Sequence, residues 1–214
     1  MPQYKKGKQT EQLEFNQVQE RVKAAQKRLT KEQLSYFWLL YYSGARKSEL
    51  FERTVGDCQI TEEYFILDIL IRKKGSAHTD PLEFPLWFPG IDIVCAWLEK
   101  ARKLHKSRKL LERWQHQKRI TSRISAHWLF PNIHKTTALT IVKQILGSQY
   151  YPHFLRLNRI TELCSNPEAN LTMIKSFSGI KSTRIIEENY MGISKRQQKA
   201  AVNFIGNQIK RRDD

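Results

Sequence analysis

Thr30-Lys31-Glu32-Gln33-Leu34-Ser35-Tyr36-Phe37-Trp38-Leu39-Leu40-Tyr41-Tyr42-Ser43-Gly44-Ala45-Arg46-Lys47-Ser48-Glu49-Leu50-Phe51 is the stretch whose reading decides the fold. Thr30 has the side chain of an N-cap, an oxygen able to accept from the first unpaired amides of a helix. Leu34, Tyr36, Phe37, Leu39, Leu40 and Tyr41 form the apolar body of that helix. Ser43-Gly44 breaks it, and a short second helix carries Arg46 to Phe51. The reading is a buried helical pair with polar groups at its join.

Outward from this pair, the chain turns β-rich. Tyr64 to Arg72 holds Phe65-Ile66-Leu67-Asp68-Ile69-Leu70-Ile71, a strand by composition. Lys73-Lys74-Gly75-Ser76 makes a turn, and Leu82-Glu83-Phe84-Pro85-Leu86 alternates as the return strand. Pro85 puts that return strand at a sheet edge. Residues 90–104 return to helical spacing, and further helices are expected over 137–147, 152–164, 169–177, 182–190 and 194–211. The expected class is mainly α with a small antiparallel β-sheet (α+β). Residues 1–15 read as a polar, basic arm and 16–28 as a mostly polar helix.

Composition narrows the function. The chain has 214 residues, enough to bury a core without staples. Its formal net charge is +16, which favours a polyanion: nucleic acid first, an acidic membrane surface second. Cys58, Cys95 and Cys164 are odd in number, sparse and in no metal-ligand spacing. That count fits a reducing cytoplasm, and no metal or other cofactor is expected. The polar start and the lack of a long apolar run point to a soluble, cytoplasmic protein without a membrane partner. Residues 101–119 hold eight Lys or Arg against Glu112 alone. Arg102, Lys103, Lys106, Arg108 and Lys109 there, with Lys73 at the hairpin, are candidates for DNA-backbone contact, or else a solvated face.

Three further segments complete the pattern. Gly44-Ala45-Arg46-Lys47-Ser48-Glu49-Leu50 resembles the first arginine box of the tyrosine recombinases, the phage integrase family. His153-Phe154-Leu155-Arg156 resembles their His-x-Leu-Arg box, and Tyr190 follows Arg156 by 34 positions, similar to the family's separation of second arginine and nucleophile. Lys73-Lys74-Gly75 resembles the catalytic lysine turn, and Leu129-Phe130-Pro131 a structural landmark upstream of the His box. The resemblance covers roughly residues 30–193. It implies a catalytic domain over 30–193, preceded by the arm and helix of 1–29. A C-terminal helix in 194–214 would then pack on a neighbouring subunit or fold back on its own domain.

The resemblance also implies roles. Arg46 and Arg156 would hold the non-bridging oxygens of a phosphodiester, since a guanidinium offers a planar fork of donors and keeps its charge. Tyr190 would be the nucleophile, poor at neutral pH until relieved of its proton. Lys74, with Lys73 as the adjacent rival, would protonate the leaving 5′ oxygen. His153 would manage a proton at the tyrosine or phosphate, and Glu49 would orient catalytic groups. One departure stands out: Ile180 falls where the family has His or Trp, with Lys181 beside it as a substitute donor. The implied activity is site-specific recombination of double-stranded DNA through a 3′-phosphotyrosyl bond, by a dimer or tetramer on DNA that is a monomer when free. A type IB topoisomerase-like transferase and a DNA-binding accessory protein with a degraded site are the rivals. Only about thirty residues precede the catalytic region, as in a short single-domain member or an excised fragment.

Overall fold

Every residue from Leu34 to Ser43 is buried, so the helix they form is wrapped on all sides rather than laid on a surface. That helix, Lys31–Ser43, is the second in chain order, α2. The computed structural model describes residues 12–73, 76–104, 128–166, 168–178, 180, 182–184 and 186, with 70–80, 104 and 135 by backbone alone. The backbone divides into two compact units, one ending at Arg156 and one beginning at Leu157.

In the first unit, Thr30 caps α2 as its sequence predicts. Its Oγ1 accepts from the Gln33 amide at 3.2 Å, and Gln33 Oε1 accepts from the Thr30 amide at 2.9 Å. Gly44 ends the helix in the left-handed region at φ 55°. The next helix is Lys47–Phe51, α3. The helix before α2 is Phe15–Ala25, α1. Its Val18, Val22 and Ala25 recur at helical spacing and are buried, facing the helix Lys135–Leu146, which is α5. A segment that reads as mostly polar thus joins the core through a few well-placed side chains.

Among the described residues the sheet has three antiparallel strands, one more than the expected hairpin. They are β1 Cys58–Ile60, β2 Tyr64–Lys73 and β3 Ser76–Pro85, in the order β1-β2-β3. Phe65, Leu67 and Ile69 bury one face of β2, with Phe84 opposite Phe65. β3 lies at an edge, as Pro85 requires, but it starts at Ser76 rather than near Leu82. Pairing runs from Tyr64↔Pro85 to Lys73↔Ser76. The part of β3 before Leu82 is mostly polar and ends in Pro81, so its sequence lacks the alternation that marks a strand.

Helix α4, Ile91–Leu104, buries Ile91, Val94, Trp97, Leu98 and Ala101 and packs on α2. The Trp97 indole N–H donates to the Leu129 carbonyl at 2.8 Å, fixing the Leu129-Phe130-Pro131 corner. The Glu32 carboxylate accepts the backbone and side-chain N–H groups of Asn132 at 2.8 and 3.0 Å. Helix α6, Pro152–Ser165, begins in the first unit and continues into the second. The second unit adds α7, Leu171–Ser178, around a small core of Ile160, Cys164, Ile174 and Ile186. No helix among the described residues is long and apolar enough to cross a membrane.

Candidate active site

Gly44 turns the chain out of α2, and the next two residues carry it to the start of α3. Arg46 therefore stands at the N-terminal edge of α3 in extended conformation. Glu49, one turn on, reaches back with both oxygens. Its Oε2 accepts the Arg46 backbone N–H at 2.7 Å and its Oε1 accepts Arg46 Nη1 at 2.7 Å. The Glu49 side chain is 8% exposed and that of Arg46 is 49% exposed, so a buried carboxylate steadies a guanidinium that faces solvent.

The His box comes to the same corner from the far end of the unit. Pro152 opens α6, suited to a first helical position because it lacks an amide hydrogen. His153 is exposed on the first turn, and Arg156 is buried one turn later. Arg156 Nη1 donates to the Gly44 carbonyl at 2.7 Å, across 112 residues of sequence. The second arginine is thus bonded to the join that presents the first. Partial burial holds His153 below the ordinary imidazole range, and the positive charges of Arg156 and then Arg46 push it the same way. His153 is thus held toward its neutral form and lies within electrostatic reach of both guanidiniums.

An open cleft of about 530 Å³ runs beside this group, lined by Arg46, Lys47, Ser48, Thr136, Leu139, Tyr151, Pro152 and His153. A smaller cavity of about 130 Å³ is lined by Arg46, Ser48, Glu49 and Glu52. Two guanidiniums and an imidazole held toward its neutral form gather at one corner, a donor set whose chemistry suits an anion with a proton acceptor beside it.

The remaining expected residues divide as follows. Lys73 ends β2 opposite Ser76, with its side chain outside the described part. Lys74, Lys106, Arg108, Lys109, Lys181 and Tyr190 lie outside the described residues, as does the helix expected over 194–211. Arg102 and Lys103 are exposed on α4, but the Arg102 guanidinium is engaged, donating to Glu99 at 2.8 Å and to the Cys58 carbonyl at 3.2 Å. Ile180 packs against the small core of the second unit. Sequence reading missed Arg53, which is buried and donates to the carbonyls of Glu49 at 3.0 Å and Asp68 at 3.4 Å, linking α3 to β2. It also missed the cleft residues Tyr151 and Thr136, which no motif marks.

No protein-family model matches the chain, and no curated protein sequence matches it. Solved structures do. A XerH site-specific recombinase bound to palindromic difH substrate, a post-cleavage complex, superposes with TM-score 0.61 at 13% identity. That match covers 89% of this chain and 52% of the other. The pre-cleavage complex of XerH with difH gives TM-score 0.59 at 14% identity, covering 94% and 56%. The fold is that of the tyrosine recombinase catalytic domain. The chain spans about half the length of the recombinase chains it matches. Within this recombinase-like fold, Arg46 with Glu49 and His153 with Arg156 meet in the first unit.

Proposed function

We propose that this protein is a site-specific DNA recombinase that cuts and rejoins double-stranded DNA through a 3′-phosphotyrosyl intermediate. The observation that carries the reading is convergence. Arg46 and His153 line one cleft, and Arg156 is bonded to the turn that presents Arg46. The fold adds support, since XerH chains of that fold are seen with DNA substrate before and after cleavage.

In this reading Arg46 and Arg156 take the non-bridging oxygens, where negative charge gathers as phosphorus becomes five-coordinate. Loss of one such donor raises the barrier by about 3–4 kcal/mol, by analogy with oxyanion-hole deletions. Neutral His153 accepts a proton from the incoming hydroxyl or bonds the phosphate. Tyr190 attacks phosphorus, its O–P bond forms as the 5′ O–P bond breaks, and Lys74 protonates the departing 5′ oxygen. Attack by a 5′-hydroxyl on the phosphotyrosine reverses the sequence, with no external energy source. Second copies of the chain on the same DNA supply the partner strands.

The test is a nicked suicide duplex carrying the protein's own attachment site, resolved on a denaturing gel. A protein–DNA adduct is expected, absent with Tyr190→Phe and strongly reduced with Arg46→Ala. Relaxation of arbitrary supercoiled plasmids without exchange would instead indicate topoisomerase-like transfer. Ile180 favours a second reading, a DNA-binding accessory protein with a degraded site, because a half-buried aliphatic side chain packed against a small core supplies no donor to the phosphate. Tight duplex binding with no adduct would establish that second reading.

A further inference from the structure

The cleft beside Arg46 continues past the residues assigned above. Lys47, Ser48, Thr136 and Tyr151 line it together with Leu139 and Pro152. Among the described residues no carboxylate lines it, whereas the smaller cavity that shares Arg46 has Glu49 and Glu52 in its wall. By their described lining residues the two openings around one guanidinium therefore differ in charge, and the larger suits an anion. It also has an apolar side. Tyr151 is 40% exposed and Leu139 36% exposed, large side chains left in water next to an ammonium and two aliphatic hydroxyls. Isolated exposed apolar residues need no explanation, but two on the wall of a cationic cleft present an apolar surface beside a polar one. A phosphate joined to a deoxyribose has that two-sided chemistry, and a cleft of about 530 Å³ falls in the range that seats one small ligand.

We propose that this cleft seats the nucleotide adjoining the scissile phosphate. Lys47, Ser48 and Thr136 donate to the flanking phosphate, and Tyr151 and Leu139 pack on its sugar. The inference rests on the recombinase reading and extends it. Arg46 and Lys47 are consecutive, so one turn of chain addresses two successive phosphates and fixes the strand's register against His153 and Arg156. Tyr151 and Lys47 are positioning residues here.

The experiment measures fluorescence anisotropy of a labelled mixed-sequence duplex between about 50 and 200 mM salt. It compares the unaltered protein with Lys47→Ala, Tyr151→Ala, Tyr151→Phe and Lys23→Ala. Lys23 is exposed on α1 and is not a cleft residue, so it controls for the loss of one charge. Lys47→Ala is expected to lower the slope of log affinity against log salt by about one, with Lys23→Ala unchanged. Tyr151→Ala is expected to weaken binding about fivefold at every salt concentration with the slope intact, because it removes packed area rather than charge. Tyr151→Phe keeps the ring and binds as the unaltered protein. All these side chains are at the surface, and thermal melts check that the fold is kept. A Lys47→Ala slope equal to that of Lys23→Ala, or Tyr151→Ala binding at full strength, overturns the nucleotide seat while the recombinase reading stands. Absence of any duplex binding by the unaltered protein overturns both.

Discussion

Glu49 grips Arg46 twice, and the two bonds differ in what they do. The bond to the backbone N–H holds the first turn of α3, as a capping carboxylate does. The bond to Nη1 aims a guanidinium that is half in water, where the ion pair adds only a few tenths of a kcal/mol. Glu49→Gln should keep an acceptor for the backbone N–H and lose the charged grip. Stability should therefore change by about 1 kcal/mol or less, while the rate of adduct formation falls roughly ten- to a hundredfold through misaimed Arg46. Thermal melts and single-turnover cleavage separate the two effects, and an equal loss in both would refute an aiming role. His153 gives a pH prediction. Its folded pKa lies below the ordinary imidazole value of 6.5, so the unfolded chain binds more protons as pH falls through that value. This contribution to stability is present above the ordinary value and is lost as pH falls from there through the lowered one. His153→Gln should flatten the stability–pH curve over that acid window. In the intact protein, NMR titration should find the imidazole pKa below 6.5 and see it rise when a DNA phosphate binds beside it. A value unmoved by DNA would place the phosphate elsewhere.

At the scale of elements, α2 is positioned by what its neighbours leave out. Gly90 has φ +83°, and a Cβ there would come within 2.1 Å of Trp38 Nε1. The turn before α4 lies directly on the indole, so Gly90→Ala meets both a disfavoured backbone region and a clash with a buried ring. A cost of about 2–4 kcal/mol is expected, read as a lower denaturation midpoint with unchanged m-value. A melt like that of the unaltered protein would mean that α4 can shift freely on α2. Much at this scale was legible in the sequence: the Thr30 cap, the break at Ser43-Gly44, the long strand from Tyr64, and the one-turn spacing of His153 and Arg156. Each depends on local periodicity or on a residue with a single strong conformational preference. β1 was hidden because three residues are too few to display a period. The part of β3 before Leu82 was hidden by Pro81 and by polar residues, a composition that suits an edge strand. Arg53 reads as surface charge, and its burial depends on the Asp68 carbonyl of β2 as well as the local Glu49 carbonyl, a pairing that no local pattern announces.

For the whole molecule, the site residues were legible as types and order, but the cleft that joins them was not. Tyr151 and Thr136 come from the starts of two helices, and only folding sets both beside Lys47. Charge acts at this scale without needing any single residue. The chain carries 37 Lys and Arg against 21 Asp and Glu. Some of that surplus is committed internally: Arg102 is held by Glu99 and a carbonyl, and Arg159 pairs with Glu162 at 2.6 Å. Pairing of this kind lowers the number of phosphates the surface can neutralise below what the count of 37 Lys and Arg suggests. The proposed DNA affinity should still fall linearly in log–log form with salt, since each neutralised phosphate releases condensed counterions. A footprint of six to ten phosphates predicts a loss of about 10³–10⁵ in affinity between 50 and 200 mM salt. Arg102→Ala should leave that slope unchanged, because its guanidinium already has a partner, while Lys47→Ala should lower it. Anisotropy titrations across the salt range measure both. A slope near zero for the unaltered protein would mean that its positive surface does not meet the DNA backbone, and the convergence of Arg46, His153 and Arg156 would then have to serve a smaller anion.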